Sequence, residues 1–540
     1  MELRVVYRIL RKISDWALVG FYSEACVDGQ YNVPRDVPLI ITPCHHNELI
    51  DVATLAATIP HRRMVSFWAK STTFSHPVLG PILSSSGAIP VRRNPDKADS
   101  GASNAALFDA STTALARNQV IGVFPEGTSY TEPAIAQIMS GAAWAALEFM
   151  RSQHADGKAR SVMIVPVGIV YTNKSKFRSR VHVEYGLPID MTTYVSSSLF
   201  DTLDPDAERA VVKTVMKDVE AQLFKMTINA PDWETLYAAQ MTRNILWVDE
   251  RNVKLKDWVV AGQTLVNSFT SSEEDAELIS LKRTLTTYFS LLHYTNIGNA
   301  HLAFLVPDPT ALPNRLFIFR FTLAVLHTLL NPSFLLFIPP FIAHIPAYLF
   351  AGLGSYLAPP GEEESQAQFK VILGGLGTGL GAVTSGYWIA RLANSRLVHD
   401  GGMRAKLLLW SLTAYVLIKW HSILVNSNYS RFQRLSAAWK VLLGVLQPRS
   451  WDLPLSKLGA YETPPAPASN PFLKRKAGSP PALVGKAWLK AQPRAIPSRR
   501  IILHLLLARR TAISALSNYC QRKGFKDEQI LTDLGAVFPA

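Results

Sequence analysis

Apolar residues near the start of the chain recur at helical spacing. Val6, Ile9, Leu10, Ile13, Trp16 and Ala17 share one face, and Arg4, Arg8, Arg11 and Asp15 mark another. The pattern predicts an amphipathic helix, either packed on the domain that follows or lying in a bilayer interface. Its charges interrupt the apolar stretch a signal peptide needs. From residue 38 to 186 the pattern changes. Short β-rich runs at 38–42, 64–69, 88–92, 120–124, 162–171 and 181–185 alternate with helical stretches such as 51–58, 104–117 and 137–154. This predicts an α/β domain with a mixed or parallel sheet flanked by helices. Residues 201–295 read as mostly helical.

The second half is more apolar. Residues 321–361 hold 41 positions without Asp, Glu, Lys or Arg, the length of about two membrane spans at ~20 residues each. Asn331-Pro332 and Pro339-Pro340 interrupt the stretch, which predicts a tight hairpin or one span with a re-entrant piece. Residues 371–390 form a cleaner span. Its glycines Gly375, Gly377, Gly379 and Gly381 suit close helix packing in lipid better than a dinucleotide loop. Residues 407–425, with Lys419 inside, are a weaker candidate. The loop at Glu362–Glu364 is acidic. The next, with Arg391, Arg396, Arg404 and Lys406, is basic and therefore assigned to the cytosol. Beyond residue 454 the chain is linker-like, with disorder expected over 461–497 and a short helix over 501–519. The expected organisation is an amphipathic region 1–30, an α/β domain 31–200, a helical extension 201–310, transmembrane helices 311–425 and a basic, partly disordered cytosolic tail 426–540.

Composition sharpens this. Of 540 residues, 48% are hydrophobic and 18% charged, against roughly 25% charged in ordinary soluble chains, which excludes a disordered chain. The net charge of +14 is local. Between Asn426 and Lys526, 18 Lys/Arg face only Asp452 and Glu462. Such a tail suits an anionic membrane surface. Trp439, Trp451, Tyr461 and Trp488 accompany it, but no RNA-binding motif does, so no nucleic-acid partner is expected. Cys26, Cys44 and Cys520 make no disulfide framework and match no zinc spacing, so no metal is expected.

Four clusters carry the candidate chemistry. In Pro43-Cys-His-His-Asn-Glu-Leu-Ile-Asp51 a histidine precedes a helix that holds an aspartate. With His46 at the helix start, its ring folds back on Asp51 as a general base oriented by a carboxylate. His45, six residues from Asp51, is the alternative base. Gly87-Ala-Ile-Pro-Val-Arg-Arg93 ends a strand in paired arginines suited to phosphate, and Phe67-Trp-Ala-Lys70 puts another cation at a strand end. Val123-Phe-Pro-Glu-Gly-Thr-Ser129 presents one carboxylate on a rigid turn. That carboxylate would repel a phosphate, so it is expected to accept from a hydroxyl or brace Arg93. Ile164-Val-Pro-Val-Gly168 reads as a buried strand.

Together, and in this order, the clusters resemble the blocks of the glycerolipid acyltransferase (PlsC-like) family. Flanking segments, including Lys176-Phe-Arg-Ser-Arg180, resemble its fungal membrane branch. The resemblance implies acyl-CoA-dependent sn-1 acylation of glycerol-3-phosphate or dihydroxyacetone phosphate. It implies His46 as base with Asp51 as orienter, an acceptor site of Arg93, Glu126 and Gly127, and Pro166 beside the acyl-CoA site. Arg92 and Lys70 are added here for phosphate charge. Acyl-CoA is a co-substrate, and no cofactor is implied. Membrane lipids are the expected surroundings, as a multi-pass protein of the endoplasmic reticulum or lipid droplet with the catalytic domain facing the cytosol. Acylation of lysophosphatidate or another lysophospholipid is the alternative, and a non-catalytic lipid-binding protein a further one. Absence of His-Glu-x-x-His and Gly-x-Ser-x-Gly disfavours a zincin or an α/β-hydrolase.

Overall fold

The computed structural model describes residues 5–91, 101–158, 160–196, 198–202, 204–270, 275–308, 316–393, 402–473 and 483–539. Two compact units divide the chain. The first comprises Met1–Asn229, Glu362–Gln368 and Ala468–Val484; the second comprises Ala230–Gly361, Phe369–Pro467 and Gly485–Ala540.

The first unit is built on one sheet: β1 (Glu24–Asp28), β2 (Leu39–Pro43), β3 (Val65–Lys70), β4 (Ile89–Val91), β5 (Val120–Gly122), β6 (Met163–Tyr171), β7 (Arg180–Tyr185) and β8 (Ile189–Asp190). The strand order is β1-β7-β6-β2-β5-β3-β4, with β8 beside β6. β6, β2, β5, β3 and β4 run parallel, β7 and β8 are antiparallel to β6, and β1 is parallel to β7. The mixed, mostly parallel sheet expected from the alternating pattern is thus present. β1 and β8 are additions to it.

Helices cover both faces. These are α1 (Val5–Phe21), α2 (Glu48–Thr58), α3 (Ser71–Phe74), α4 (Leu79–Ser86), α5 (Gly101–Ala116), α6 (Gly141–Ala155), α7 (Ser198–Thr202) and α8 (Pro205–Met226). Ile40, Ile121 and Ile164 join residues of α5, α6 and α8 in one core. Successive strand residues point to opposite faces, so Leu39 and Ile41, also fully buried, belong to the layer of α1 and α2. All five residues of β2 are buried, as a central parallel strand requires. Pro166 lies in β6, a central strand, where a missing N–H is normally harmful. Its carbonyl accepts from the Gly186 N–H at 2.8 Å, toward the side where β8 pairs Met163 and Ile164 and β7 pairs residues 167–171. The absent donor therefore faces the gap between these two ladders. α1 buries Tyr7 and Phe21 but leaves Val5, Ile9, Ile13 and Trp16 at least half exposed.

The second unit is helical: α9 (Trp233–Leu246), α10 (Trp258–Phe269), α11 (Ala276–Thr295), α12 (Asn299–Leu305), α13 (Leu316–Leu329), α14 (Pro332–Gly354), α15 (Gln366–Ala393) and α16 (Gly402–Leu446). Among the described residues two helices are long and apolar enough to cross a membrane, Pro332–Gly354 and Gly402–Leu446. Both leave apolar side chains exposed, among them Leu336, Ile342, Leu349, Leu408 and Leu412. The break in the 321–361 stretch lies at Asn331, whose side chain accepts from the Ser333 N–H and caps α14; that helix then runs through Pro339, Pro340 and Pro346. The expected span 371–390 lies within α15, a continuous helix that is not one of the two membrane-length apolar helices. Its glycines do serve packing: a Cβ on Gly377 or Gly381 would strike the backbone of α14 at Pro346 or Ala343. Residues 426–446, expected in the tail, continue α16 and bury Ala437, Ala438 and Val441. The helix Ile502–Arg522 packs on α11 and buries Leu505, Ala512 and Leu516. Much of the basic tail is therefore built into the helical unit, and residues 474–482 within it lie outside the described residues.

Candidate active site

The parallel strands β2, β5, β3 and β4 all end at one edge of the sheet, where open α/β folds bind ligands. Three of the sequence clusters follow these ends. β2 leads into Cys44-His45-His46-Asn47 and then α2. β5 leads into Val123-Phe124-Pro125-Glu126-Gly127. Lys70 is the last residue of β3, exposed, with its Nζ 5.7 Å from the Phe472 ring. Arg92 and Arg93 follow Val91, the last residue of β4, and lie outside the described residues.

Cys44 continues the strand. Its N–H donates to Val167 O at 3.0 Å, and its Sγ donates to Ile169 O at 3.3 Å and accepts from the Ile169 N–H at 3.0 Å. Burial pushes the Cys44 thiol well above its ordinary value, so it is a packed sulfur and no thiolate nucleophile. The chain beyond it bends at His46 and Asn47, and the two histidine rings meet different partners. His45 Nδ1 lies 2.9 Å from Asp51 Oδ2, and its ring stacks on Phe124. The His46 ring instead meets Tyr130 edge-on. The expected pairing of His46 with Asp51 is thus replaced by His45 with Asp51. Six residues separate this pair. The backbone accommodates the separation through Asn47 at φ −147° and Glu48 at φ +40°, the latter a left-handed conformation that non-glycine residues rarely adopt.

Asp51 is fully buried in the first turn of α2. Besides His45, its Oδ2 accepts from the Asn47 N–H at 2.7 Å, and its Oδ1 accepts from the Tyr171 hydroxyl at 2.6 Å. A carboxylate only accepts, so His45 donates from Nδ1 and its Nε2 is left as the basic nitrogen. His45 retains 13% exposure of its side chain. His46 is pushed down to about 4, first by burial and further by the Lys174 and His45 charges against the opposing Asp51. An imidazole that hard to protonate is a weak proton acceptor at neutral pH.

Glu126 is fully buried. Its Oε1 accepts from the His45 N–H at 2.6 Å, and the Tyr130 hydroxyl lies close enough to the carboxyl to oppose part of the effect of burial. Burial above all raises its carboxyl to about 8. At neutral pH it is mostly a neutral acid, which removes the repulsion toward phosphate expected of an ionised group here. Gly127 follows at φ +75°, and a Cβ there would lie 2.6 Å from Met139 Sδ. Glycine therefore meets both demands of this turn. Pro166 is remote from the histidine in sequence but sits in register with Thr42, one residue before the end of β2.

Several participants have no signal in the sequence. Tyr171 closes β6 and reaches Asp51 because β6 neighbours β2. Lys174 Nζ donates to Thr131 Oγ1 at 2.6 Å and reaches His46 O at 3.4 Å, and no carboxylate among the described residues forms an ion pair with it. Thr131 in turn donates to Glu364 Oε2 at 2.6 Å, and Gln368 donates to Glu48. Burial, then the Glu364 and Glu362 charges, raise Glu48 to about 7. The acidic loop read only as a membrane connection therefore belongs to the site's own unit. So does Asn470, whose Nδ2 donates to Ser129 O at 2.7 Å.

An imidazole–carboxylate pair at the strand ends, beside a buried thiol, is an arrangement able to take a proton from an acceptor group. Residues 24–170 match the family model described as Acyltransferase. It is 31% identical over 168 residues to "Glycerol-3-phosphate O-acyltransferase 2" of Saccharomyces cerevisiae, covering 31% of this chain and 21% of that protein. To "Glycerol-3-phosphate O-acyltransferase 1" of the same yeast it is 29% identical over 231 residues, covering 42% and 29%. The matches thus span less than a third of the length of these relatives. The 1-acyl-sn-glycerophosphate acyltransferase PlsC of Thermotoga maritima aligns with TM-score 0.28 and 17% identity, covering 40% of this chain and 79% of that one.

Proposed function

We propose that this chain is an acyl-CoA-dependent sn-1 acyltransferase of glycerol-3-phosphate or dihydroxyacetone phosphate, with His45 as its general base. The observation that carries the proposal is the His45–Asp51 pair, locked by Tyr171 and Asn47 at the carboxyl edge of the sheet. In this reading His45 Nε2 takes the proton of the acceptor hydroxyl as its oxygen attacks the thioester carbonyl. The tetrahedral intermediate collapses with cleavage of the C–S bond, and the imidazolium returns the proton to the CoA sulfur. The thioester is already activated, so no covalent enzyme intermediate is needed. A positioned general base contributes ~10²–10⁴-fold, and alignment of the two substrates supplies much of the rest. Asp51 holds the ring and stabilises the imidazolium.

Lys174, Lys70, Arg92 and Arg93 are proposed to supply charge for the acceptor phosphate. Neutral Glu126 donates a hydrogen bond to it, and Gly127 gives room. Pro166 remains a proposed element of the acyl-CoA site. The choice of acceptor draws on the names of the two yeast relatives. A membrane location is supported by α14 and α16; the endoplasmic reticulum, with the catalytic domain facing the cytosol, is proposed with it. A soluble protein buries helices of such composition, whereas these expose them. The row Val5, Ile9, Ile13 and Trp16 on α1, flanked by Arg8 and Lys12, suits an interfacial helix. Purified protein with labelled acyl-CoA, offered glycerol-3-phosphate, dihydroxyacetone phosphate and lysophosphatidate side by side, tests the function. A clear preference for lysophosphatidate would reassign the acceptor, and no transfer to any of the three would overturn the reading.

A further inference from the structure

Away from the candidate active site, β1 and β7 carry a face of polar residues in register. The register pairs Glu24 with Arg180, Cys26 with His182 and Asp28 with Glu184. The face is fixed by β6, where Gly168 pairs with Glu184 and Val170 with His182, and where a Cβ on Gly168 would strike Met226 of α8. The ladder therefore lies on the α8 side of the sheet, at its β1 edge. Arg180 already answers Glu24, with Nη1 3.4 Å from Oε2. The other two rungs bring a thiol, an imidazole and two carboxyl groups together.

Cys26 Sγ is 3.7 Å from Asp28 Oδ2, and His182 Nε2 is 2.8 Å from the same oxygen. All three ligand atoms lie within 4.8 Å of one another. Tetrahedral bonds of about 2.3 Å to sulfur and 2.0 Å to oxygen or nitrogen place S and O roughly 3.5 Å apart and N and O roughly 3.3 Å apart. The S–O and N–O separations differ from these by about 0.2 and 0.5 Å, and the sulfur and nitrogen, within 4.8 Å of each other, close toward roughly 3.5 Å on binding. His182 is buried while Cys26 and Asp28 are half exposed, so a preset imidazole faces an accessible entrance. Glu184, half-buried, is close enough to be influenced by His182 and Asp28, which puts a further oxygen donor beside the three. Thiolate, imidazole and carboxylate together select a borderline-soft ion over magnesium or calcium.

We propose that Cys26, Asp28 and His182 form a zinc-binding site that ties the edge strand β1 to β7. Binding releases the thiol proton, and the ion takes a water or Glu184 as its fourth ligand. The site is independent of the acyl-transfer reading. Linear zinc spacings miss it because two ligands lie two apart on one strand and the third lies 154 residues on, brought into register by the sheet.

The test uses the full chain in detergent, stripped with a chelator and dialysed, then titrated with Co²⁺ and Zn²⁺. One equivalent of Co²⁺ should give a thiolate-to-cobalt charge-transfer absorption, and Zn²⁺ should abolish it by displacement. Cys26→Ser should remove the absorption and weaken zinc binding by more than about 100-fold, beyond the range for losing an outer-shell partner. Asp28→Asn should weaken binding, and Cys520→Ser should bind as the parent does. Melting of the chelated variants alongside the parent separates ligand loss from misfolding. Absence of the absorption in the folded parent, or its survival in folded Cys26→Ser, overturns the proposal.

Discussion

The base assignment makes its sharpest prediction at Asp51. Asp51→Asn is nearly isosteric, and the buried surroundings can hold the amide. Its oxygen can replace Oδ2 toward His45 Nδ1 and the Asn47 N–H. Its NH₂ can face the Tyr171 hydroxyl, which then accepts and turns its own proton toward Thr54 Oγ1, 3.4 Å away. Folding should therefore change little. Catalysis should change greatly, because the carboxylate that stabilises the imidazolium is gone. For charge centres about 4 Å apart at an effective dielectric of about 20, the attraction is about 4 kcal/mol. Lost only in the transition state, this lowers kcat on the order of 10³-fold.

The assay is release of CoA or transfer of labelled acyl chains at saturating substrates, with thermal melting as the control for folding. His45→Ala should be at least as severe, and the double variant little worse, because residues that act as one unit are not additive. His46→Ala should lose far less, its ring lying on Tyr130 and away from the carboxylate. The reasoning is refuted if well-folded Asp51→Asn keeps kcat within about tenfold of the parent. It is refuted equally if His46→Ala is inactive while His45→Ala is nearly normal.

Tyr171→Phe removes the 2.6 Å donor to Asp51 Oδ1 and should lower kcat about tenfold, in line with a hydrogen bond to a charged group; an acyl-CoA KM that moves while kcat stays would remove its orienting role. Lys174→Met should raise KM for the phosphorylated acceptor ~10–100-fold through loss of a charge-assisted contact and leave that for acyl-CoA nearly unchanged; equal effects on both would exclude phosphate binding. His46 is held at about 4 against an ordinary 6.5, so the folded state binds its proton less tightly than the unfolded chain. Its contribution to stability is complete above 6.5 and falls as pH drops toward 4; urea midpoints should show this loss, and His46→Gln should lessen it. Glu126 has the opposite sign. Raised from 4.5 to about 8, it contributes fully below 4.5 and progressively less as pH rises to 8, and Glu126→Gln should flatten that limb of the same urea midpoints.

The six β-rich runs coincide with β2 to β7 to within about two residues at their ends, because buried strands are written as continuous or alternating apolar runs. β1 carries no such run: Glu24-Ala-Cys-Val-Asp28 is a partly exposed edge strand, held by pairing with a segment over 150 residues away. In the helical half, the apolar stretch 321–361 marks α14, the weaker candidate 407–425 falls in α16, and the cleaner expected span 371–390 falls in α15, whose glycines weaken its apolar character and let it pack on α14. The candidate site divides in the same way. Block order places His45, Glu126 and Pro166 on neighbouring strands, since parallel strands bring their ends together. Which ring meets Asp51 is a question of direction, and one residue of shift in extended backbone turns a side chain to the other face. Here Asn47 and Glu48 absorb the added residue through unusual dihedrals that composition does not disclose. Tyr171 lies 120 residues from Asp51 and Lys174 128 from His46, and Glu364 comes from a loop between two apolar helices. Their roles arise only after the sheet has set its register. Sheet register also assembles Cys26, Asp28 and His182 at the β1 edge, which a search by linear spacing misses.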